Sequence, residues 1–148
     1  MTLFVESIGS LISNTGRKLS SLLTSRFQHG GLTSEQWSVL NRLCGGDGIT
    51  QKELAGRVDK DPTNLTRILD QLERKGLIRR EANRSDRRSF RLTVTERGRE
   101  LDRLLAPLER EFVAQLLEGV SEAEQATLRA VLSRINANAD RMRVNREA

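Results

Sequence analysis

The stretch DPTNLTRILDQLERKG, residues 61–76, reads as a helix with both of its ends written into it. Asp61 is placed to cap the first turn, and Pro62 sits at the first helical position, where its missing N–H costs nothing. Gly76 ends the segment. At about 100° per residue, Leu65, Ile68, Leu69 and Leu72 fall on one narrow apolar face. Thr63, Arg67, Asp70 and Arg74 point the opposite way, with Asn64 and Thr66 on the flanks. An α-helix fits the major groove of B-DNA, where Arg addresses guanine, Asn addresses adenine, and Thr meets a phosphate or the thymine methyl. In helix-turn-helix proteins the base-contacting residues lie at the start of the second helix, which is where Thr63, Asn64, Thr66 and Arg67 stand. An ordinary solvated helix face fits the same pattern, so this helix alone does not decide the function.

The neighbouring segments supply context. Upstream, TQKELAGRV (residues 50–58) starts with Thr50 as a cap and Glu53 in the capping-box position, with Leu54, Ala55 and Val58 on the inner face of about two turns. Two short helices joined by a tight turn make a helix-turn-helix candidate. Downstream, Leu77 to Ala82 and Ser89 to Val94 read as strands around a polar tip, Asn83 to Arg88. Phe90, Leu92 and Val94 alternate, so that face is expected to pack inward while Arg84, Arg87 and Arg88 project into solvent. Crowded arginines repel one another when free. Phosphates, and the narrow minor groove of A·T-rich DNA, relieve that repulsion on binding. Asp86 is expected to pair with an arginine, holding the tip's shape or aiming Arg88; a simple turn-favouring aspartate is the alternative.

Helical spacing also marks both ends of the chain. From Leu3 to Phe27, apolar residues recur at Phe4, Ile8, Leu11, Ile12, Leu19, Leu22 and Leu23, and HGGLT breaks the pattern. TSEQWSVLNRLC opens another helix on a Thr33/Gln36 capping box. From Thr95 a long helix carries Leu101, Leu104, Leu105, Leu108, Phe112 and Leu116, with a kink expected at Pro107. Ser121 and Glu124 form a further capping box before a last helix bearing Leu128, Val131, Leu132, Ile135 and Met142. These terminal helices carry more apolar surface than one small core can cover, and symmetric pairing of two chains is the commonest way to bury it.

The totals narrow the class of function. The chain has 148 residues, a 36% apolar share and a formal charge of +5. Residues 51–100 hold 14 Lys and Arg against 9 Asp and Glu, so all of the surplus lies in the middle third. That placement favours a polyanionic partner. Aromatic residues are scarce, which argues against a base-stacking platform. No apolar run approaches the roughly 18–20 residues that cross a bilayer, so no membrane partner is expected. The opening MTLFVESIGSLIS lacks a basic start and carries Glu6, so it is not read as a signal peptide; with a single cysteine, a cytoplasmic location is expected. His29 is the one histidine, and no set of residues has the spacing of a metal site, a P-loop or a nucleophilic triad. Neither enzymatic activity nor a cofactor or metal is expected.

LTSEQWSVLNRL, TQKELAGRVDKDPTNLTRILDQLERKGLIRR and DRRSFRLTVTERG together resemble the MarR (multiple antibiotic resistance regulator) family of winged-helix transcription factors. That family's D-x-R…LT-x-x-G wing pattern matches Asp86, Arg88, Val94, Thr95 and Gly98, with Val94 where Leu is more usual. The resemblance spans nearly the whole chain. It implies a mainly α fold with a small β-hairpin wing: an N-terminal dimerisation helix (1–30), a winged helix-turn-helix (31–98) and C-terminal dimerisation helices (99–148). It also implies a homodimer joined through the first, fifth and sixth helices, bound to a near-palindromic operator on double-stranded DNA. Such regulators usually repress until a small molecule, often phenolic, or an oxidant releases them. Arg88 would enter the minor groove and Asp86 would orient the wing. Ser13, Arg17 and Trp37 are candidate effector contacts, with structural roles as the alternative for each. Cys44 reads as an inert thiol or as an oxidant switch, although the family's oxidant sensors keep a reactive cysteine near the chain start and none stands there. Two competing functions remain open from sequence alone: a protein–protein interaction module whose basic wing is incidental, and a DNA-coating protein indifferent to sequence.

Overall fold

A computed structural model describes residues 7–147, with the side chains of His29 and Glu147 excepted. Phe4, the first apolar position of the N-terminal pattern, lies outside the described residues. The elements are α1 (Ile8–Arg26), a 3-10 turn (Gln28–Gly30), α2 (Ser34–Cys44), β1 (Ile49–Thr50), α3 (Gln51–Ala55), α4 (Pro62–Arg74), β2 (Ile78–Ala82), β3 (Phe90–Val94), α5 (Glu96–Leu116) and α6 (Glu122–Glu147). The strands form one antiparallel sheet in the order β1-β3-β2. The fold is therefore mainly helical with a β-hairpin wing, as the sequence predicts. The chain divides into two compact units, one up to Phe112 and one from Val113 onward.

Local chemistry sets the helix boundaries. The Gln36 N–H donates to Thr33 Oγ1 at 3.1 Å and the Thr33 N–H donates back to Gln36 Oε1 at 3.1 Å, a complete capping box. Asp61 accepts the Asn64 N–H at 2.9 Å above Pro62, and Gly76 leaves α4 at φ 73°. Ser121 and Glu124 form the reciprocal pair at the start of α6. Thr50 caps α3 through the Glu53 N–H at 3.2 Å, but α3 is one short turn that stops at Gly56, less than the two turns expected.

The core of the first unit is aliphatic. Leu40, Leu43, Leu54, Leu65, Ile68, Leu69, Leu72, Ile78 and Leu92 are buried together, with Leu105 of α5 closing one side. All four apolar residues of the α4 face are among them. Phe27 packs at a tilt on Trp37, ring centroids 5.1 Å apart. Two features depart from expectation. β1 pairs Ile49 with Leu92 and Thr50 with Arg91, a two-residue strand too short for any alternation to announce. Phe90 is 55% exposed, and of the predicted inward face only Leu92 is fully buried, with Val94 half-buried. The reason is position: Phe90 pairs with Ala82 at the wing end of the ladder, one residue past the last pair that β1 makes.

The junction between hairpin and α5 explains the T-x-x-G spacing. Thr95 caps α5, its Oγ1 accepting the Gly98 N–H at 3.1 Å while its hydroxyl donates to the Gly76 carbonyl at 2.7 Å. The Thr95 N–H donates to the Leu77 carbonyl at 3.0 Å, so α5 starts directly against the first turn after α4. Pro107 stands inside α5, which continues to Leu116.

Candidate nucleic-acid interface

Four predicted reading residues share the first turn and a half of α4. Thr63, Thr66 and Arg67 are exposed and Asn64 is half-buried. Burial of Leu65, Ile68, Leu69 and Leu72 fixes which face remains outside, so the orientation follows directly from the apolar spacing. Arg67 bonds Asn64 Oδ1 and lies 3.9 Å from Glu35, which Lys60 also approaches at 3.9 Å. Such exposed pairs contribute roughly 0–1 kcal/mol, so they hold Arg67 ready without locking it away.

Not every cation of the region is available. Arg80 donates to Asp70 at 2.7 Å and to Glu73 at 3.0 Å, which ties β2 to the second half of α4. Asp70, outward by helical phase, is thereby engaged. Arg84, Arg87 and Arg88 at the wing tip are different: they are exposed and have no side-chain partner among the described residues. Three neighbouring guanidinium groups with no counter-ion of their own suit a polyanion.

The wing is shaped by short-range backbone bonds. Asp86 Oδ1 accepts the Arg88 N–H at 2.9 Å, so its contact is with the backbone and not with the guanidinium pairing considered from sequence. A bond to the backbone two residues on is the contact of a turn-favouring aspartate, the alternative that the sequence leaves open. Asn83, the first residue of the polar tip and not a predicted functional residue, is only 7% exposed. Its side chain donates to Ser89 Oγ at 2.9 Å and accepts the Ser85 N–H at 3.1 Å, closing the hairpin from inside. Its one signal in the sequence is a turn-forming residue at the strand end. Below it, a cleft of about 340 Å³ is lined by Gln51, Lys52, Arg80, Asn83, Arg88 and Phe90.

Of the predicted effector residues, Ser13 and Arg17 meet on α1 and Trp37 lies in the core. Arg17 donates to Ser13 Oγ at 3.1 Å, and both are exposed on α1. Trp37 is buried against Phe27, with its Nε1 unpartnered among the described residues. A different cavity, of about 640 Å³, lies beside the end of α4 and the start of α5, lined by Arg74, Lys75, Leu77, Arg97, Leu101 and Leu104 among others.

Cys44 is half-buried at the end of α2. Burial first, and the nearby Asp102 carboxylate second, push its thiol up to about 12. The thiolate is the reactive form, so alkylation by iodoacetamide should be slow at pH 7–8 in the folded protein and fast after unfolding. The linkage has a definite sign. A folded value above the unfolded 9.0 means that this contribution to stability is intact below pH 9 and is lost as pH rises toward 12. Rapid labelling of native protein at pH 7.5, read by mass spectrometry, would contradict this.

Among the described residues no group of His, Cys, Asp and Glu is placed to hold a metal ion, and no helix is long and apolar enough to cross a membrane. Residues 32–90 match the family model described as MarR family. The chain is 28% identical over 130 residues to YybA, an uncharacterised HTH-type transcriptional regulator of Bacillus subtilis, which covers 88% of this chain and 87% of that protein. A solved structure of MarR is 31% identical, with 97% of each chain covered and a TM-score of 0.74. A MarR-family regulator from Listeria monocytogenes, crystallised with a 26mer DNA, is 29% identical, covering 90% of this chain and 89% of that one, with a TM-score of 0.79.

Proposed function

The chain belongs to the MarR family, and from that premise we propose that it is a homodimeric repressor, bound to a near-palindromic operator and released by a phenolic-type small molecule. At the coarser level it is a DNA-binding transcriptional regulator and not an enzyme. The observation that supports operator reading is the pairing of a short polar helix front with an uncompensated arginine tip on one small frame. The front of α4 supplies groups that read base edges, Thr63, Asn64, Thr66 and Arg67, while Arg84, Arg87 and Arg88 reach the adjacent groove and its phosphates.

Pairing of two chains is supported by apolar residues that the single chain leaves in water. Ile8, Leu11, Ile12 and Leu22 are exposed on α1, Leu104 and Leu116 on α5, and Leu128 and Val131 on α6. A soluble chain rarely leaves so much exposed unless a partner covers it. A two-fold pair presents two copies of α4 to half-sites about one helical turn, ~10 bp, apart. Release by a phenolic acid is supported by a cavity in which Arg74 and Arg97 outnumber Glu100 and Lys75 is tied to the Gly31 carbonyl, leaving positive charge for a carboxylate and the apolar wall of Leu77, Leu101 and Leu104 for a ring. The raised Cys44 thiol counts against the oxidant alternative.

A gel shift with the DNA upstream of the chain's own gene, in excess random competitor and with or without salicylate, tests this reading. The complex should survive competitor and dissociate with the ligand. Asn64→Ala and Arg67→Ala should each weaken operator binding about five- to a hundredfold, as expected for a lost base contact of about 1–3 kcal/mol, and should blur base preference. Equal loss on operator and random DNA would count against α4 as the reading helix. A chain that binds neither would point to the protein-interaction alternative.

A further inference from the structure

The Thr66 hydroxyl on the exposed front of α4 is occupied from two sides. It donates to the Pro62 carbonyl at 2.9 Å, one turn back along the helix. It also accepts from Gln51 Nε2 at 2.7 Å, a bond that crosses from α3 to α4. A hydroxyl has one proton and two lone pairs, so the proton is committed and one lone pair with it. Thr66 is left with no donor for purine N7, guanine O6 or thymine O4. With Oγ1 fixed between Pro62 and Gln51, the free branch of the side chain is its γ-methyl. The major-groove feature that a methyl recognises is the C5-methyl of thymine.

We propose that Thr66 reads one thymine in each half-site through its methyl group, and that Gln51 is the positioning residue that holds the methyl in the reading rotamer. This rests on α4 being the helix that enters the major groove, and adds which base Thr66 meets and by what contact. The clamp is economical in entropy. A β-branched side chain has few rotamers, and an anchor from the neighbouring helix selects one of them before DNA arrives. A serine in the same place would keep both hydrogen bonds and lose the recognition element.

Selection from a pool of random duplexes identifies the preferred site, after which each thymine is replaced in turn by deoxyuridine, which removes only the C5-methyl. One thymine per half-site should then bind the native protein about fourfold more weakly as deoxyuridine, roughly the worth of one buried methyl. Thr66→Val, which keeps a methyl there and removes the hydroxyl, should retain that penalty, and Thr66→Ser should abolish it. Gln51→Ala should shrink the penalty, and a penalty of native size in Gln51→Ala would overturn the positioning role of Gln51. The proposal is overturned if no thymine of an enriched site is sensitive, if the penalty persists in Thr66→Ser, or if it vanishes in Thr66→Val. In each of those cases the DNA-reading function stands, because a site was enriched. A pool that yields no enriched sequence overturns both.

Discussion

Gly98→Ala should destabilise the folded chain by about 3 kcal/mol or more, at the upper end of what overpacking a closed contact costs. A Cβ at this position would fall 2.2 Å from the Leu77 carbonyl oxygen and 2.8 Å from Val94 Cγ1. The first obstacle is backbone, and that oxygen is already held by the Thr95 N–H at 3.0 Å. The start of α5 would have to move away from the turn after α4, which lengthens the Thr95 hydroxyl bond to Gly76 and the Gly98 bond to Thr95. Each cap bond is worth about 1 kcal/mol, so the displacement is costly whichever way the strain is divided. The sign of the effect is diagnostic. In an unconstrained helix alanine is about 1 kcal/mol better than glycine, so a site without the clash would be stabilised by the change. Urea denaturation of the two proteins separates the cases, and an unchanged or raised midpoint would refute the close approach. The T-x-x-G spacing is on this account a packing requirement: Thr95 caps the helix, and three residues later only glycine admits the neighbouring chain.

Sequence legibility tracked the range of the interaction involved. Thr33, Asp61 and Ser121 mark helix starts through bonds to residues three positions away, and all three positions were readable in the linear string. The α4 face was readable for the same reason, since helical phase alone separates Leu65 and Leu69 from Thr66 and Arg67. Phe90 departs from the expected inward face because alternation says which side of a strand a residue takes and not whether anything covers it there. Arg80 shows the limit of counting charge. By composition it is one more cation beside the wing, yet Asp70 and Glu73 occupy it, bonds that depend on β2 lying along α4. The same holds for Gln51, whose bond to Thr66 links residues fifteen apart in sequence. Ser13 and Arg17 share a face of α1 by spacing, but their relation to Trp37 is a tertiary matter that spacing cannot express.

Replacing Arg84, Arg87 and Arg88 together by alanine should produce the largest loss of DNA binding, at least about a hundredfold at 0.1 M salt, since hydrogen bonds to charged groups contribute about 1.5–3 kcal/mol each. The salt dependence carries more information than the affinity. Each phosphate neutralised adds about 0.9 to the slope of log K against log salt, so six guanidinium groups in a paired molecule should flatten the slope by up to about five. Arg88→Ala alone should weaken operator binding several-fold or more. Stability should not fall in the triple variant, because the three side chains are exposed and without partners, and removing them relieves mutual repulsion. Arg80→Ala should behave in the opposite way. It leaves Asp70 and Glu73 facing each other without their shared cation, so the thermal midpoint drops even though a charge of the same sign is lost from the same hairpin. Fluorescence anisotropy at several salt concentrations, with a melting curve for each variant, distinguishes the two. A triple variant that keeps the native salt slope would show that the wing does not touch the phosphates, and the basic tip would then need another partner.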